Sequence, residues 1–290
     1  MATGGNNRKP GRVMGMLLNL LKIGLLTYLG LLLLLFVFQR QLIYYPARDA
    51  EAKLLSLAAL HQLLPWRGAA GALIGWKSSH PGSKPHNRLL VFHGNAGYAL
   101  DREYFVNGFQ SLQAGKLWEI YLFEYPGYGA RPGTPGEKAF ISMARAAFEQ
   151  LQRDDTRPLY LAGESLGCGV AAQLAGQYGA AVAGLFLVTP FNNMADVAAS
   201  HYPMFPVRLL LRERYASDAA LKNYRGPVAI LLVGRDEVVP MRFGQRLFDG
   251  YPGPKRLWTQ TEASHNTLNY EPDAGWWREV SDFLRSEKTG

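Results

Sequence analysis

The sequence contains a single cysteine, Cys168, among 290 residues. One cysteine excludes an intramolecular disulfide, and no group of cysteines and histidines has the spacing of a zinc site, so no metal is predicted. Charged residues are also scarce, at 19% against 48% apolar residues, which excludes a largely disordered chain. The length allows one domain of moderate size or two small ones, with enough apolar residues for a large core.

Acidic residues are missing from the beginning of the chain. The net charge is +8, and six basic residues precede the first acidic one, Asp49. Only two of the eight excess positive charges therefore belong to the remainder of the chain, which is close to neutral. A protein body without a basic face is not typical of nucleic-acid binding, and no nucleic-acid partner is predicted.

A long apolar run follows a basic tail at residues 1–13. The run, Met14–Phe38, contains one charge, Lys22. As a helix it would extend about 37 Å, enough to cross a hydrocarbon core of about 30 Å. A buried core helix is disfavoured because no face is polar. A cleaved signal peptide is disfavoured because the run is long and no small-residue cleavage site follows it. Residues 14–38 are therefore predicted to form a transmembrane anchor that contacts the lipid bilayer.

The flanking charges bear on the orientation of this anchor. Arg8, Lys9 and Arg12 predict a cytoplasmic N-terminus, with a single pass placing the rest of the chain on the opposite side of the membrane. Arg40 and Arg48 on the other flank oppose this orientation.

Apolar runs of strand length alternate with helical patterns after the anchor. Several runs are continuously apolar, which is typical of strands buried on both faces of a parallel sheet. The predicted strands are Ala72–Ser79, Arg88–Gly94, Glu119–Gly129, Pro158–Glu164, Ala183–Pro190, Pro227–Glu237 and Lys255–His265. This alternation predicts an α/β fold with a mostly parallel sheet flanked by helices, in one catalytic domain over residues 41–290.

One predicted helix lies between the third and fourth of these strands. Its apolar residues are spaced by three and four positions, which predicts that one face is buried. That face comprises Ala139, Met143, Ala146, Ala147 and Leu151.

The stretch "YLAGESLGCG" contains Gly-x-Ser-x-Gly around Ser165. Such a pattern also occurs by chance in glycine-rich turns. Here a predicted strand precedes it and an Ala-rich helical pattern follows it, as a nucleophile elbow requires. The helix N-terminus favours negative charge at the serine. Ser165 is therefore the candidate nucleophile.

A serine nucleophile needs a base and an acid, expected after later strands in the order Ser, acid, His. Of the six histidines, His265 alone follows a late predicted strand. Asp236 directly follows the apolar part of the preceding strand and is the candidate acid, with Glu237 as its alternative. The interval Pro190–Pro227 is too long for a simple connection and predicts a small helical excursion near the site.

Two N–H groups are expected to form an oxyanion hole. One belongs to the residue after the nucleophile, Leu166. The other is expected in the early loop "FHGNAGYAL", where Asn95 is the first choice and Ala96 the alternative. His93 in this loop is expected to shape it through hydrogen bonds.

Cys168 lies three residues beyond Ser165. It could be a nucleophile or an acylation site. Its position on the elbow helix instead predicts a small, buried packing residue.

In combination, these motifs resemble the α/β-hydrolase superfamily, and within it the membrane-anchored abhydrolase-domain proteins of the bud-emergence type. The matching segments are "FQRQLIYYP", "FHGNAG", "EYPGYGARPGTPGE", "GESLGCGVA", "HYPMFPVRLLLRERY", "GRDEVVP" and "SHN". The resemblance places the family's triad on Ser165, Asp236 and His265. The chain departs from the family at Glu124, where an aspartate is common, and at Thr267, where many members have an acidic residue.

Together these features predict a membrane-anchored serine hydrolase that cleaves carboxylic esters or thioesters through an acyl-enzyme, without metal or organic cofactor. The anchor favours a lipidic or membrane-bound substrate, and the resemblance adds protein depalmitoylation as one activity of relatives. Two alternatives remain: a peptidase or amidase with the same triad, and an inactive membrane-tethered scaffold.

Overall fold

The computed structural model describes residues 10–80, 85–112 and 118–286. The chain divides into two compact units, Met1–Leu42 and Ile43–Gly290. Helix α1 spans Pro10–Ile43. Within its Arg12–Ile43 segment, the most apolar 18-residue stretch has a mean hydropathy of 2.4, and none of that stretch is buried. By length and composition it is a candidate membrane span, and it extends beyond both ends of the predicted segment 14–38.

The second unit contains ten strands among its described residues. Their bounds are β1 (Tyr45–Pro46), β2 (Leu63–Arg67), β3 (Leu73–Ser78), β4 (Asn87–Phe92), β5 (Ala96–Gly97), β6 (Trp118–Phe123), β7 (Leu159–Glu164), β8 (Leu185–Val188), β9 (Val228–Val233) and β10 (Lys255–Gln260).

Eight of these strands form one sheet in the order β10-β9-β8-β7-β4-β6-β3-β2. The six strands from β10 to β6 are parallel, whereas β3 is antiparallel to both of its neighbours. Every residue of β4, β8 and β9 is buried, which explains why β8, β9 and the last four residues of β4 are continuously apolar. The predicted α/β fold with a mostly parallel sheet is therefore confirmed.

Helices cover both faces of this sheet. Their bounds are α2 (Glu51–Leu60), α3 (Glu103–Ser111), α4 (Glu137–Asp154), α5 (Leu166–Tyr178), α6 (Met194–His201), α7 (Val207–Leu210), α8 (Ser217–Ala220), α9 (Met241–Gly250) and α10 (Trp276–Ser286). Helices α4 and α5 contribute to one apolar core, and α3 and α10 to a second core on the other face.

The packing of α3 against α10 depends on a glycine. A Cβ at Gly108 would lie only 2.5 Å from Trp277 Cζ2. The absence of a side chain lets the indole, which is fully buried, lie directly on α3. This contact encloses the second core.

The predicted buried face of α4 is right at only two of its five positions, because Met143 and Ala146 are exposed and Ala139 is half-buried. The buried residues of this helix are Phe140, Ala144, Ala147, Phe148 and Leu151. The two phenylalanines determine the orientation, since an aromatic ring buries much more apolar area than an alanine.

The excursion, defined as residues 190–227, lies between β8 and β9. It contains the predicted helical segments, namely α6, α7, α8 and a short 3-10 helix at Leu221–Asn223.

The sequence patterns did not indicate α2, α3 or β2. Strand β2 pairs only with β3 and contains Pro65, which is typical of an edge strand.

Candidate active site

Ser165 lies at the turn between β7 and α5. Its backbone has φ +51° and ψ −116°, a left-handed conformation that a serine adopts only under strain. Its backbone N–H donates to Val188 O at 2.9 Å, and its carbonyl accepts from Cys168 N at 3.0 Å. A Cβ at Gly163 would lie 2.5 Å from Cys168 N, so the turn requires glycine there. The strand, the strained turn and the helix form the geometry of a nucleophile elbow.

The structure brings His265 and Asp236 to this serine. Ser165 Oγ lies 3.0 Å from His265 Nε2, and His265 Nδ1 lies 2.8 Å from Asp236 Oδ2. The side chains of His265 and Asp236 are only 10% and 2% exposed, so the two groups interact largely away from water. This sequence of contacts is the arrangement in which an imidazole can take a proton from a serine hydroxyl.

Backbone contacts fix the two loops that carry these groups. Asp236 Oδ1 accepts from Val238 N at 3.0 Å and from Val239 N at 2.6 Å. Arg235 N donates to Ala263 O at 3.0 Å, which joins the loop after β9 to the loop after β10. The alternative acid, Glu237, is exposed.

The loop after β4, residues 93–98, lies against the elbow and is named the oxyanion loop below. A Cβ at Gly94 would lie 3.7 Å from Ser165 Cβ, and one at Gly167 would lie 2.6 Å from His93 O. Leu166 is the first residue of α5, so its N–H has no acceptor within the helix. The oxyanion loop and the start of α5 therefore adjoin the serine from two sides.

Asn95 is fixed in this loop by contacts of its side chain and of its backbone carbonyl. Its Nδ2 donates to Ile43 O at 2.8 Å. Its carbonyl accepts from Tyr128 Oη at 2.7 Å and from Tyr45 N at 2.9 Å. The segment that follows α1 thus supports the oxyanion loop directly. Ala96, the alternative donor, is exposed.

His93 shapes the loop through hydrogen bonds, as the sequence suggested. Its Nδ1 lies 2.8 Å from Gly94 O, and its Nε2 lies 3.2 Å from Glu124 Oε1. Glu124 Oε2 in turn accepts from Ala99 N at 3.1 Å. Glu124 therefore supports the oxyanion loop through His93 and through Ala99, the residue that follows the loop.

Sequence reasoning missed a largely buried ion pair beside Ser165. Glu164 Oε2 accepts from Arg102 Nε at 2.9 Å and from Tyr104 Oη at 2.6 Å. Burial alone would raise the pKa of Glu164, but the adjacent Arg102 and Tyr104 outweigh it and the pKa is lowered. Arg102 also reaches the oxyanion loop, because a Cβ at Gly97 would lie 2.9 Å from Arg102 Nη1.

Cys168 is a packing residue in the structure. It is fully buried, and its Sγ lies 3.1 Å from Gly163 O and 3.2 Å from Val188 O. Burial raises the pKa of the thiol well above its ordinary value, so it stays protonated. Such a thiol is not a nucleophile.

In the described residues, no group of three or more histidine, cysteine, aspartate or glutamate side chains could bind a metal ion.

A doubly covered, mostly parallel sheet with a serine elbow, followed by an acid and a histidine after later strands, defines the class of α/β hydrolases. Residues 89–287 match the profile of the Alpha/beta hydrolase family. This match covers more than half of the chain, which therefore belongs to that family. It resembles the abhydrolase-domain serine hydrolases within the wider superfamily.

Relatives of known sequence agree with this assignment. An uncharacterised protein of Mycobacterium tuberculosis is 34% identical over 241 residues, which cover 82% of this chain and 84% of that protein. Lysophosphatidylserine lipase ABHD12 of Danio rerio is 30% identical over 215 residues, 63% of this chain and 52% of the lipase. The chain thus spans about half the length of that lipase.

Solved structures share the fold. An esterase from Pyrococcus furiosus superposes with a TM-score of 0.62 at 16% identity, over 84% of this chain and 97% of the esterase. A monoacylglycerol lipase from Paleococcus ferrophilus gives a TM-score of 0.53 at 17% identity, over 73% of this chain and 99% of the lipase. Together with the family assignment, lipase and esterase relatives support hydrolysis of an ester bond.

Proposed function

We propose that the chain is a membrane-anchored serine hydrolase that cleaves carboxylic ester or thioester bonds through an acyl-enzyme. The proposal rests on one observation, the continuous contact from Ser165 Oγ through His265 to Asp236, with separations of 3.0 Å and 2.8 Å. Peptidase activity with the same groups, and a tethered scaffold without activity, are the alternatives that the experiments below distinguish.

In the first half-reaction, Ser165 Oγ attacks the carbonyl carbon of the substrate while His265 Nε2 takes its proton. Asp236 accepts a hydrogen bond from His265 Nδ1–H and stabilises the imidazolium that forms. The tetrahedral intermediate collapses, the bond to the leaving alcohol or thiol breaks, and His265 returns the proton to it. Water, deprotonated by His265, then attacks the acyl-enzyme and releases the acid and the free serine.

The negative oxygen of each tetrahedral intermediate is placed between the elbow and the oxyanion loop. The N–H groups of Leu166 and Asn95 are the proposed donors. Loss of one such donor costs about 10²–10³ in turnover in other hydrolases. Asn95 is held in place by contacts with Ile43, Tyr45 and Tyr128. This favours its N–H as an oxyanion donor, since a preorganised donor needs little rearrangement during the reaction.

The proposed substrates are lipidic or membrane-bound esters. The relative from Danio rerio bears the name of a lysophosphatidylserine lipase. The apolar helix α1 would keep the catalytic unit at a bilayer, where such esters are concentrated. We further propose a cytoplasmic N-terminus, with the catalytic unit (residues 41–290 from sequence) on the opposite side of the membrane. Protease digestion of the catalytic unit in intact cells tests this orientation, and full protection contradicts it.

Labelling with a fluorophosphonate probe tests the nucleophile. We expect the wild-type chain to be labelled and Ser165→Ala not to be. Ser142→Ala, which alters an exposed serine on α4, is the matched control and should label like the wild type. Equal labelling of Ser165→Ala and wild type would contradict the proposal.

Comparison of three substrate classes tests the reaction. Turnover of p-nitrophenyl esters and acyl thioesters with no cleavage of aminoacyl anilides is the expected result. Faster anilide cleavage would favour the peptidase alternative. Absence of all three activities in a folded, unlabelled chain would favour the scaffold.

A further inference from the structure

Large apolar side chains are exposed on the excursion and on the loop that carries Asp236. Met204 is 81% exposed and Leu209 is 82% exposed, with Tyr202 at 51% and Val238 at 41%. His201 Nε2 lies 2.9 Å from Val238 O, which joins the excursion to the loop that carries the catalytic acid. We name Tyr202, Met204, Leu209 and Val238 the apolar tip. Apolar groups clustered in this way on a surface are typical of an interaction site.

The exposed charges of the excursion between Asp196 and Glu213 are positive. Between Asp196 and Glu213 the chain contains two arginines, Arg208 and Arg212, and no acidic residue. The Arg208 side chain is 64% exposed although it also contacts Asp196 Oδ1 at 2.9 Å. Glu213 is only 2% exposed. The outer surface of this segment therefore combines apolar side chains with cationic ones, which suits a surface that is both apolar and anionic.

Glu213 and Tyr215, which follow this segment, contact the chain where it enters the catalytic unit. Tyr44 Oη donates to Glu213 Oε2 at 2.5 Å and shares a hydrogen bond with Tyr215 Oη at 2.8 Å. Glu137 N also donates to Glu213 Oε2 at 2.5 Å. Tyr44 directly follows Ile43, the last residue of the candidate membrane span. The excursion is thus attached where the chain leaves that span.

We propose that the apolar tip, with Arg208 and Arg212, binds the surface of an anionic lipid bilayer as a second membrane contact beside α1. The apolar side chains enter the boundary between headgroups and acyl chains, and the guanidinium groups bind lipid phosphates and carboxylates. This contact orients the surface around Val238, two residues from Asp236, toward the bilayer. A lipidic substrate could then reach Ser165 from the membrane, a consequence that rests on the proposed function.

Site-specific fluorescence in the full chain tests this contact. Because the single cysteine, Cys168, is fully buried, Leu209→Cys provides one accessible position for an NBD label. The chain is reconstituted into phosphatidylcholine vesicles with or without phosphatidylserine. Quenching by doxyl-labelled lipid is compared with quenching by aqueous iodide. Leu60→Cys is the matched control, since Leu60 is 78% exposed on α2, away from the excursion in sequence and on another element.

We expect the Leu209 label to be quenched several-fold more by doxyl lipid, and several-fold less by iodide, than the Leu60 label. Phosphatidylserine should increase this difference, and Arg208→Glu combined with Arg212→Glu should reduce it. Arg153→Glu, an exposed arginine on α4, should leave it unchanged. Met204→Cys serves as a second labelled position if Leu209→Cys is unstable.

Two outcomes would overturn the proposal. One is equal iodide quenching at Leu209 and Leu60 in both kinds of vesicle. The other is protection of Leu209 that rises with the protein-to-lipid ratio, which would identify a second copy of the chain as the occupant. The chain carrying Ser165→Ala should behave like the wild type in this assay, so failure of the docking and failure of the proposed reaction are distinguishable.

Discussion

Asp236 uses its two carboxylate oxygens for different contacts. Oδ1 accepts from two backbone N–H groups of its own loop, and Oδ2 faces His265 Nδ1. In Asp236→Asn, the amide oxygen can keep the loop contacts while the NH₂ group faces the imidazole as a donor. This favours the imidazole tautomer that cannot take the proton of Ser165. We therefore expect turnover of a p-nitrophenyl ester to fall by about 10⁴-fold, with little change in melting temperature.

The neighbouring acid is the matched control for this prediction. Glu237→Gln alters an exposed residue and should retain activity close to that of the wild type. A larger loss in Glu237→Gln than in Asp236→Asn would transfer the role of the acid to Glu237.

Glu164 and Arg102 form a largely buried ion pair next to Ser165, so removal of the carboxylate should lower the stability of the fold. We expect Glu164→Gln to lose about 3 kcal/mol in free energy of unfolding at neutral pH, because Arg102 would remain buried without its counter-ion. Urea unfolding measures this loss. Glu262→Gln removes an exposed carboxylate that is paired with Arg235, and should cost less than about 1 kcal/mol.

The same pair predicts a dependence on pH. The folded-state pKa of Glu164 lies below its unfolded value of about 4.3, so its contribution is complete above that value and is lost as pH falls through the folded pKa. Arg102, Tyr104 and Tyr270, which lie beside it, keep their charge in this range. The difference in urea midpoint between wild type and Glu164→Gln should therefore narrow as the pH is lowered. A constant difference would show that the pair does not depend on the carboxylate charge.

At the scale of elements, the site depends on close contact between β4 and α5. A Cβ at Gly167 would lie within 2.6 Å of His93 O and would clash with Phe92 O as well. We expect Gly167→Ala to lose about 1–3 kcal/mol in free energy of unfolding. The added methyl group would push the oxyanion loop away from Ser165, which should also reduce turnover by roughly 10²-fold.

Gly250→Ala is the control, because no atom lies within 4 Å of the Cβ position at the end of α9. Its melting temperature and turnover should match those of the wild type. If Gly167→Ala retained full turnover, the contact between the elbow and the oxyanion loop would not be required for catalysis.

The elements that sequence patterns predict well are those with one dominant signal. The central strands are continuously apolar, and the order of Ser165, Asp236 and His265 along the chain follows from where each strand ends. The face of α4 was mispredicted because alanines and Met143 were weighted like phenylalanines. The contact between Arg102 and Glu164 joins residues 62 positions apart, and no local pattern marks it.

At the scale of the whole molecule, the entry of the chain into the catalytic unit is a structural part of the site. Ile43 O and Tyr45 N both bond to Asn95, and Tyr44 is buried against the excursion. Strand β1 also pairs with β5 in the oxyanion loop region. The boundary that preserves the site therefore falls before Ile43, and residues 43–47 belong with the catalytic unit although Ile43 is the last residue of α1.

Two truncated chains test this boundary. A chain of residues 43–290 retains every contact to Asn95 and should hydrolyse a soluble short-chain ester at nearly the full-length rate. A chain of residues 48–290 loses the buried Tyr44 ring, at a cost of about 3–5 kcal/mol. It also loses three hydrogen bonds to the oxyanion loop and two to the excursion. Its melting temperature should therefore fall by roughly 10 °C, and its turnover should fall as well. Differential scanning fluorimetry and ester assays measure both effects. Equal stability and turnover of the two chains would contradict a role of residues 43–47 in the site.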